Sequence, residues 1–548
     1  MRASIKVSPV PEAVDLVIEG GIVHDGSGRP GYRADVAVSD GRIVAVAAEG
    51  RDVPARRRLR ADDLIVAPGF IDLHSHADFT LPAYPGAVNS ISQGVTSEVV
   101  GNCGYSPAPL SADPGTAAEQ IATFRALGPD LDWEWRGFGE FLDRLDAARP
   151  AVNCVPLIGH GAVRMAALGF DDRPPTTAEA RQMHDAVADG LAAGAWGMST
   201  GLVYPPASFA STDEVVEVGA SLPHARSLYA SHIRNEGAGL LEALDEALTI
   251  GRRLRTAVHV SHLKSAGRQS HGKIGAAVDR LIEARRRDAR ITCDAYPYTA
   301  GSTMLSQLLP PWVHDGGIEA MFERLGSDLP RDQIRVDVAT GLPGWSNYVE
   351  AAGSFEQIRI ASVGDRRLAG IEGHSVAELA NRDHVDPLTF VFDLLVRDRA
   401  ATVMIVELMH EDDVTAALRF PATGIGSDQL AVTGPDASVH PRCYGTFAKV
   451  LGTYVRERGV LAMAEAIHRM TGLAAEIIGL TDRGRVVPGA VADLVVFDPA
   501  TIRDQATYGS PTQLAAGVEA VLVDGRFAWD GGRPADLHLG RVLRREAQ

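Results

Sequence analysis

Two histidines one residue apart, His74 and His76 in Asp72-Leu73-His74-Ser75-His76, are the sharpest chemical feature of the chain. They close an apolar run, 70–74, that reads as a β-strand. Successive strand residues face opposite ways, so Asp72, His74 and His76 share a face. Two imidazoles on one face at a strand's carboxyl end can converge on a metal ion. The same pair also suits a hydrogen-bonded barrel rim, and the spacing alone does not choose. Other metal-competent groups recur at strand ends. Cys103, in Gly101-Asn102-Cys103-Gly104, lies just past the run 95–100, where a thiolate would be a strong zinc ligand. His232 and His262 follow the runs 227–231 and 257–261, and Asp428 follows 422–426. Six such groups from five strand ends are expected to meet in one place. His259, three residues before His262, is expected on the opposite strand face, packed under helices. His160, in Gly159-His160-Gly161, reads either as a partner of the ligands or as a hydrogen-bonded structural residue. Cys154, Cys293 and Cys443 read as small buried hydrophobes.

The elements that must position these groups are short apolar runs alternating with helical stretches. The candidate strands are 70–74, 95–100, 152–158, 195–199, 227–231, 257–261, 291–294 and 422–426, with helices at 176–193, 238–253 and 273–288 among those between. This pattern predicts an α/β chain with a closed parallel (β/α)₈ TIM-like barrel, an open doubly wound sheet being the competing arrangement. The apolar run 402–408 does not fit a count of eight. Residues 302–358, rich in Pro, Gly and Trp, break the alternation and read as an inserted lid or subdomain over the barrel mouth. At the two ends, 15–24, 34–38 and 42–47, then 493–497 and 518–524, read as β-meanders, with Asp524-Gly525 as a hairpin turn. Neither end buries a core alone, so 1–66 and 485–548 are expected to pair into one small β-sandwich around a barrel of 67–484. Gly26-Ser27-Gly28-Arg29-Pro30-Gly31 matches a dinucleotide fingerprint but runs into a strand-like segment rather than a helix, so it reads as a turn. Arg56-Arg57-Arg58 reads as a solvated loop.

Composition bounds the function classes. With 45% hydrophobic and 22% charged residues among 548, the chain is an ordinary globular one. A net charge of −17 argues against a general nucleic-acid binder, which needs surplus Lys and Arg. Four cysteines far apart, with no CxxC, point to a reducing, cytoplasmic setting. The amino-terminal segment lacks the apolar core of a signal peptide, and no long apolar run predicts a membrane span. The expected partner is a small molecule.

Residues 67–76 (APGFIDLHSH), together with GNCG at 101–104, resemble the amidohydrolase superfamily, specifically its D-aminoacylase (N-acyl-D-amino-acid deacylase) branch. The resemblance runs through 199–204 (STGLVY), Ser231-His232, 261–264 (SHLK), 294–298 (DAYPY), Gly301-Ser302, 426–428 (GSD), 440–442 (HPR) and the Pro488-Gly489 and Ala492-Asp493-Leu494 segment, nearly the whole chain. It implies a tight zinc held by Cys103, His232 and His262. It also implies a second, weaker position formed by His74, His76 and Asp428, with Cys103 able to bridge. Where many relatives carry a carbamylated lysine on the fourth strand, this chain has Met198-Ser199-Thr200, and the cysteine looks like its replacement. The implied reaction is hydrolysis of an N-acyl-D-amino acid to a carboxylate and a free D-amino acid. Asp428 would move the proton, and Tyr204 would assist the oxyanion. Lys264, Arg442, Tyr296 and Ser302 would hold the substrate carboxylate; by residue type alone, Lys264 and Arg442 suit a rim salt bridge equally well. The loop between Asp428 and His440 lacks the extra histidines of some members. The competing readings are a cyclic amidase of the dihydropyrimidinase kind, a D-peptidase or lactonase, and a non-catalytic scaffold.

Overall fold

The computed structural model describes residues 13–48, 53–222, 227–288, 290–432, 434 and 437–546. The first twelve residues, where the absence of a signal-like run was read, lie outside that range, as do three residues of the loop after Asp428. The eight expected strands are all present: β1 (Phe70–Asp72), β2 (Val95–Val100), β3 (Asn153–Pro156, resumed at Ile158–Gly159), β4 (Gly197–Gly201), β5 (Leu228–His232), β6 (Ala257–Val260), β7 (Ile291–Ala295) and β8 (Thr423–Ile425). They pair in parallel, β1 to β2 to β3 and β3 onward through β7 to β8. The ring closes between its first and last strands, where Leu73 N donates to Ile425 O at 3.1 Å and Ser75 bridges Gln429 in parallel. This is a barrel and not an open sheet. Parallel barrel strands are covered on both faces, and every residue of β2 is accordingly buried. Helices follow the predicted periodicity. Thr177–Ala192, for one, starts at a capping box in which Thr176 and Glu179 satisfy each other's backbone N–H groups.

The two chain ends form one nine-stranded sheet. Val14–Val23, Tyr32–Ser39, Arg42–Ala47, Ala55–Arg60 and Ile65–Pro68 come from the front, and Leu494–Phe497, Val518–Val523, Arg526–Asp530 and Arg533–Pro534 from the back. The halves join where Ile65–Pro68 pairs antiparallel with Leu494–Phe497. Leu16 and Val36 from one half share a core with Val496 and Leu522 from the other, so the sheet doubles over its own apolar face. Asp524 and Gly525, both at positive φ, make the expected two-residue hairpin turn. Arg56-Arg57-Arg58 is not a loop. It lies in a strand paired only with Val14–Val23, and its exposed arginines guard an open sheet edge. The last residues run back along the barrel: Gly540 N donates to Pro150 O, Cys154 N to Arg541 O and Leu543 N to Cys154 O, at 2.8–2.9 Å.

The run 402–408 also finds its place. Val403–Glu407 is the central strand of a separate three-stranded antiparallel sheet, between Ala300–Met304 and Ile358–Ser362. The insertion after β7 therefore continues to 407, past the boundary at 358 read from composition, and includes the helices Gly317–Leu325, Asp328–Thr340, Val376–Asp383 and Pro387–Arg397. Its first strand lies at the barrel's carboxyl mouth. Thr303 Oγ1 donates to the Tyr204 hydroxyl at 3.3 Å, and Ser302 O accepts from Arg442 Nη2 at 3.3 Å.

Candidate metal centre

All six expected metal-competent residues converge at the carboxyl ends of the strands. Cys103 is the hub. Its Sγ lies 3.2 Å from His74 Nε2, 3.5 Å from His232 Nδ1 and 3.4 Å from His262 Nε2. Asp428 Oδ1 is 3.6 Å from His74 Nε2 and 3.4 Å from His76 Nε2. Three overlapping groups, Cys103–His232–His262, His74–His76–Cys103 and His74–His262–Asp428, each bring their ligand atoms within 4.8 Å of one another. All six residues are buried.

The local backbone explains the convergence. Cys103 sits at φ +54° and Asp428 at +52°, left-handed values that turn the chain sharply off a strand end. The Cys103 turn is pinned from β4. Ser199 Oγ accepts from Gly104 N at 2.9 Å and donates to Gly101 O. The strand position that carries a lysine in many related barrels thus holds the cysteine loop instead. Asp72, which shares the expected face with the histidines, is not aimed at the cluster. Its carboxylate accepts from Ser427 N at 2.8 Å and His74 N at 3.1 Å, and so ties β1 to the loop after β8.

Behind the inner nitrogens stand carboxylates that motif reading missed. Glu236 Oε1 is 3.1 Å from His262 Nδ1, and its Oε2 is 3.4 Å from His232 Nε2. Asp294 Oδ2 is 3.4 Å from His74 Nδ1 and 2.8 Å from His259 Nε2, while its Oδ1 accepts from His262 N at 3.0 Å. Such partners fix ring orientation and tautomer in metal sites. Glu236 was legible as the residue four after His232, and Asp294 as the polar end of β7. His259 is corrected by the same contacts. It does not pack under helices but braces Asp294 from inside the barrel. The face-parity rule fails because His262, at φ +33°, lies beyond the strand end. His160 is buried and joins no ligand; its Nε2 is 3.7 Å from Glu214 Oε1.

The expected substrate-holding residues surround the cluster. Lys264 Nζ is 2.6 Å from both Glu236 Oε1 and His262 Nδ1, so its charge sits behind the imidazoles. Arg442, 1% exposed, pairs with Asp428 Oδ2 at 2.9 Å and lies 4.8 Å from the Tyr296 ring centre. The Tyr296 hydroxyl is buried without a hydrogen-bond partner. Tyr204 packs edge-on against His232 at 4.9 Å.

Protonation follows from burial and charge. Burial, then the Asp428 charge, pushes the Cys103 thiol well above its ordinary range. Burial, then the Lys264 and His232 charges, brings His262 down to about 3, and burial lowers His232 as well. Burial by itself would raise Asp428, but the Arg442 guanidinium, with His76, outweighs it and holds the carboxyl well below the usual range. The result is two neutral imidazoles, one ionised carboxylate and one thiol whose proton a metal must displace.

The barrel and the thiol–imidazole cluster at its mouth define the class: the chain belongs to the amidohydrolase family, whose profile matches residues 61–311 and 350–528. Its relatives fall in the D-aminoacylase branch. It is 38% identical to the N-acyl-D-aspartate deacylase of Alcaligenes xylosoxydans xylosoxydans, over 97% of this chain and 95% of that one. It is 36% identical to the D-aminoacylase of the same organism, over 97% and 98%. Among solved structures it resembles the N-acyl-D-glutamate deacylase from Bordetella bronchiseptica complexed with zinc and a phosphonate inhibitor, a mimic of the tetrahedral intermediate. The TM-score is 0.82 and the identity 35%, covering 97% of this chain and 100% of the other.

Proposed function

We propose that this protein is a zinc-dependent deacylase that hydrolyses the amide bond of N-acyl-D-amino acids, giving a carboxylate and a free D-amino acid. The observation that carries the reading is the buried set Cys103, His232 and His262, with ligand atoms in mutual reach and Glu236 against both outer imidazole nitrogens. Full-length similarity to deacylases of N-acyl-D-amino acids supports it. The donors fit the metal: a thiolate with neutral imidazoles suits zinc. Cys103, His232 and His262 would hold the tight ion. His74, His76 and Asp428 would hold a weaker second one, with Cys103 between. When bound, zinc supplies Lewis acidity that polarises a carbonyl and acidifies water.

The chain's own groups do the rest. Asp428, ionised by Arg442, takes the proton of the attacking water on a carboxylate oxygen and delivers it to the leaving amine. The Tyr204 hydroxyl accepts from Thr303, which leaves its own proton to donate to the developing oxyanion. The unpartnered Tyr296 hydroxyl, Ser302 and the Arg442 fork would receive the substrate carboxylate, with Lys264 adding charge from behind. Ser199, engaged with the Cys103 turn, leaves β4 no group to bridge two metals as a lysine would, which speaks against the cyclic-amidase reading. The same reading takes 1–66 with 485–548 as a β-sandwich domain, 67–484 as the catalytic barrel and 302–358 as the cover of its mouth. It also places the protein in the cytoplasm, where its four buried cysteines stay free. Among the described residues no helix is long and apolar enough to cross a membrane. The test is a hydrolysis screen of N-acetyl-D- against N-acetyl-L-amino acids with zinc content measured on the same sample. Turnover confined to L-substrates, or to zinc-free protein, would overturn the reading.

A further inference from the structure

An open cleft of about 870 Å³ lies between the insertion and the barrel loops. One wall is 125–130, from the segment after β2; another is 362–367 with 397–401, from the insertion; a third includes Ala431 and Ser438, from the loop after β8. All three segments follow the carboxyl ends of strands, the face that carries the metal-competent cluster. Ala431 is three residues from Asp428, so their Cα atoms are at most about 11 Å apart.

The charge of the cleft runs against that of the chain. Five arginines line it, Arg125, Arg366, Arg367, Arg397 and Arg399, against the three aspartates Asp130, Asp365 and Asp398, in a protein of net charge −17. Asp398 is buried and spent on structure: it accepts from Gly364 N at 3.1 Å, Asp365 N at 2.7 Å and Thr402 Oγ1 at 2.6 Å. Asp365 is paired with Arg367, Glu372 with Arg366 and Glu319 with Arg399. Arg125 and Arg397 form no ion pair among the described residues and are exposed. A cleft lined by one sign of charge between low-dielectric walls focuses its field and raises the local concentration of the opposite ion.

We propose that this arginine-lined cleft gathers the anionic substrate, attracting the carboxylate of an N-acyl amino acid toward the site next to Asp428. The inference rests on the deacylase reading. Neither unpaired arginine touches the catalytic cluster, so their role is in capture and not in chemistry. Steering of this kind changes association and fades with salt, because the screening length falls from about 10 Å at 0.1 M to about 3 Å at 1 M.

The experiment compares the wild type with the double variant Arg125→Glu/Arg397→Glu, and with Arg125→Lys/Arg397→Lys, which keeps the charge. Each is assayed on an N-acetyl-D-amino acid and on the corresponding uncharged amide, at low and at high salt. For the acid, the Glu variant should keep kcat and lose about tenfold in kcat/KM at low salt, with the gap closing at high salt. The Lys variant should match the wild type, and the uncharged amide should not respond to either change. An unchanged kcat/KM for the acid would overturn the inference, as would an equal loss on acid and amide, or a Lys variant as impaired as the Glu one. Wild-type protein that hydrolyses no N-acyl-D-amino acid would remove the deacylase reading, and this inference with it. Wild-type turnover with no charge effect removes the cleft alone.

Discussion

Cys103 enters zinc binding as a protonated thiol, while His232 and His262 are already neutral. Zinc uptake near pH 7 should therefore release about one proton per ion, and affinity should rise about tenfold per pH unit until the thiol ionises unaided. Calorimetry of zinc binding to the apoprotein in buffers of differing ionisation enthalpy counts that proton; a release near zero contradicts the assignment. Cys103→Ala should abolish both the release and tight binding. Glu236→Gln removes the carboxylate shared by His232, His262 and Lys264 and should weaken zinc about 10–100-fold in a chelator competition. Asp428→Asn should leave the tight zinc loaded and lower kcat by about 10²–10⁴, read by steady-state kinetics with zinc content on the same samples. At this scale the sequence names the residues that bear metal-binding chemistry, since His, Cys and Asp at strand ends are visible as letters. It does not show the braces. Glu236 and Asp294 act through distances across β5, β6 and β7, and His259 was misplaced because strand parity says nothing once the backbone turns left-handed at His262.

Strands and helices were more legible than loops. The apolar runs place all eight barrel strands to within a residue or two, because burial on both faces leaves a continuous hydrophobic signal. The same signal cannot say which sheet a strand joins. Val403–Glu407 reads like a barrel strand and pairs elsewhere, since antiparallel partners at 300–304 and 358–362 become visible only once the chain is folded. The element that matters most to the site is the turn at 101–104. Gly101 has φ +78°, and a Cβ there would lie 2.0 Å from Leu157 O, a backbone atom of β3's neighbourhood that cannot yield cheaply. Gly101→Ala should therefore displace the Cys103 turn, lowering the melting temperature and zinc affinity together. Thermal unfolding and zinc titration on one preparation check this. A variant with full zinc affinity would mean that the turn does not hold the cysteine.

The whole molecule is tied together by its last residues. The tail follows β3 through Gly540, Arg541 and Leu543, and the Trp196 indole N–H donates to Leu543 O at 2.6 Å. At Gly540 a Cβ would meet Val152 O at 2.1 Å, so Gly540→Val must lift the tail. We expect a loss of about 1–3 kcal/mol in denaturant unfolding with zinc stoichiometry unchanged, because the contact lies away from the metal cluster. Equal loss of zinc would show that tail and site are coupled. Both ends of the chain thus complete a body whose middle is made first, and this has a consequence in time. Ile65–Pro68 leads directly into β1, but its partner strand Leu494–Phe497 is made hundreds of residues later. At about 5–20 residues per second, a nascent chain waits roughly twenty to ninety seconds with that sheet edge open. During the wait, the unpaired N–H and C=O groups beside a buried-to-be apolar face are a template for the wrong neighbour. Slower synthesis lengthens the exposure, and a ribosome stalled before residue 494 leaves it permanent.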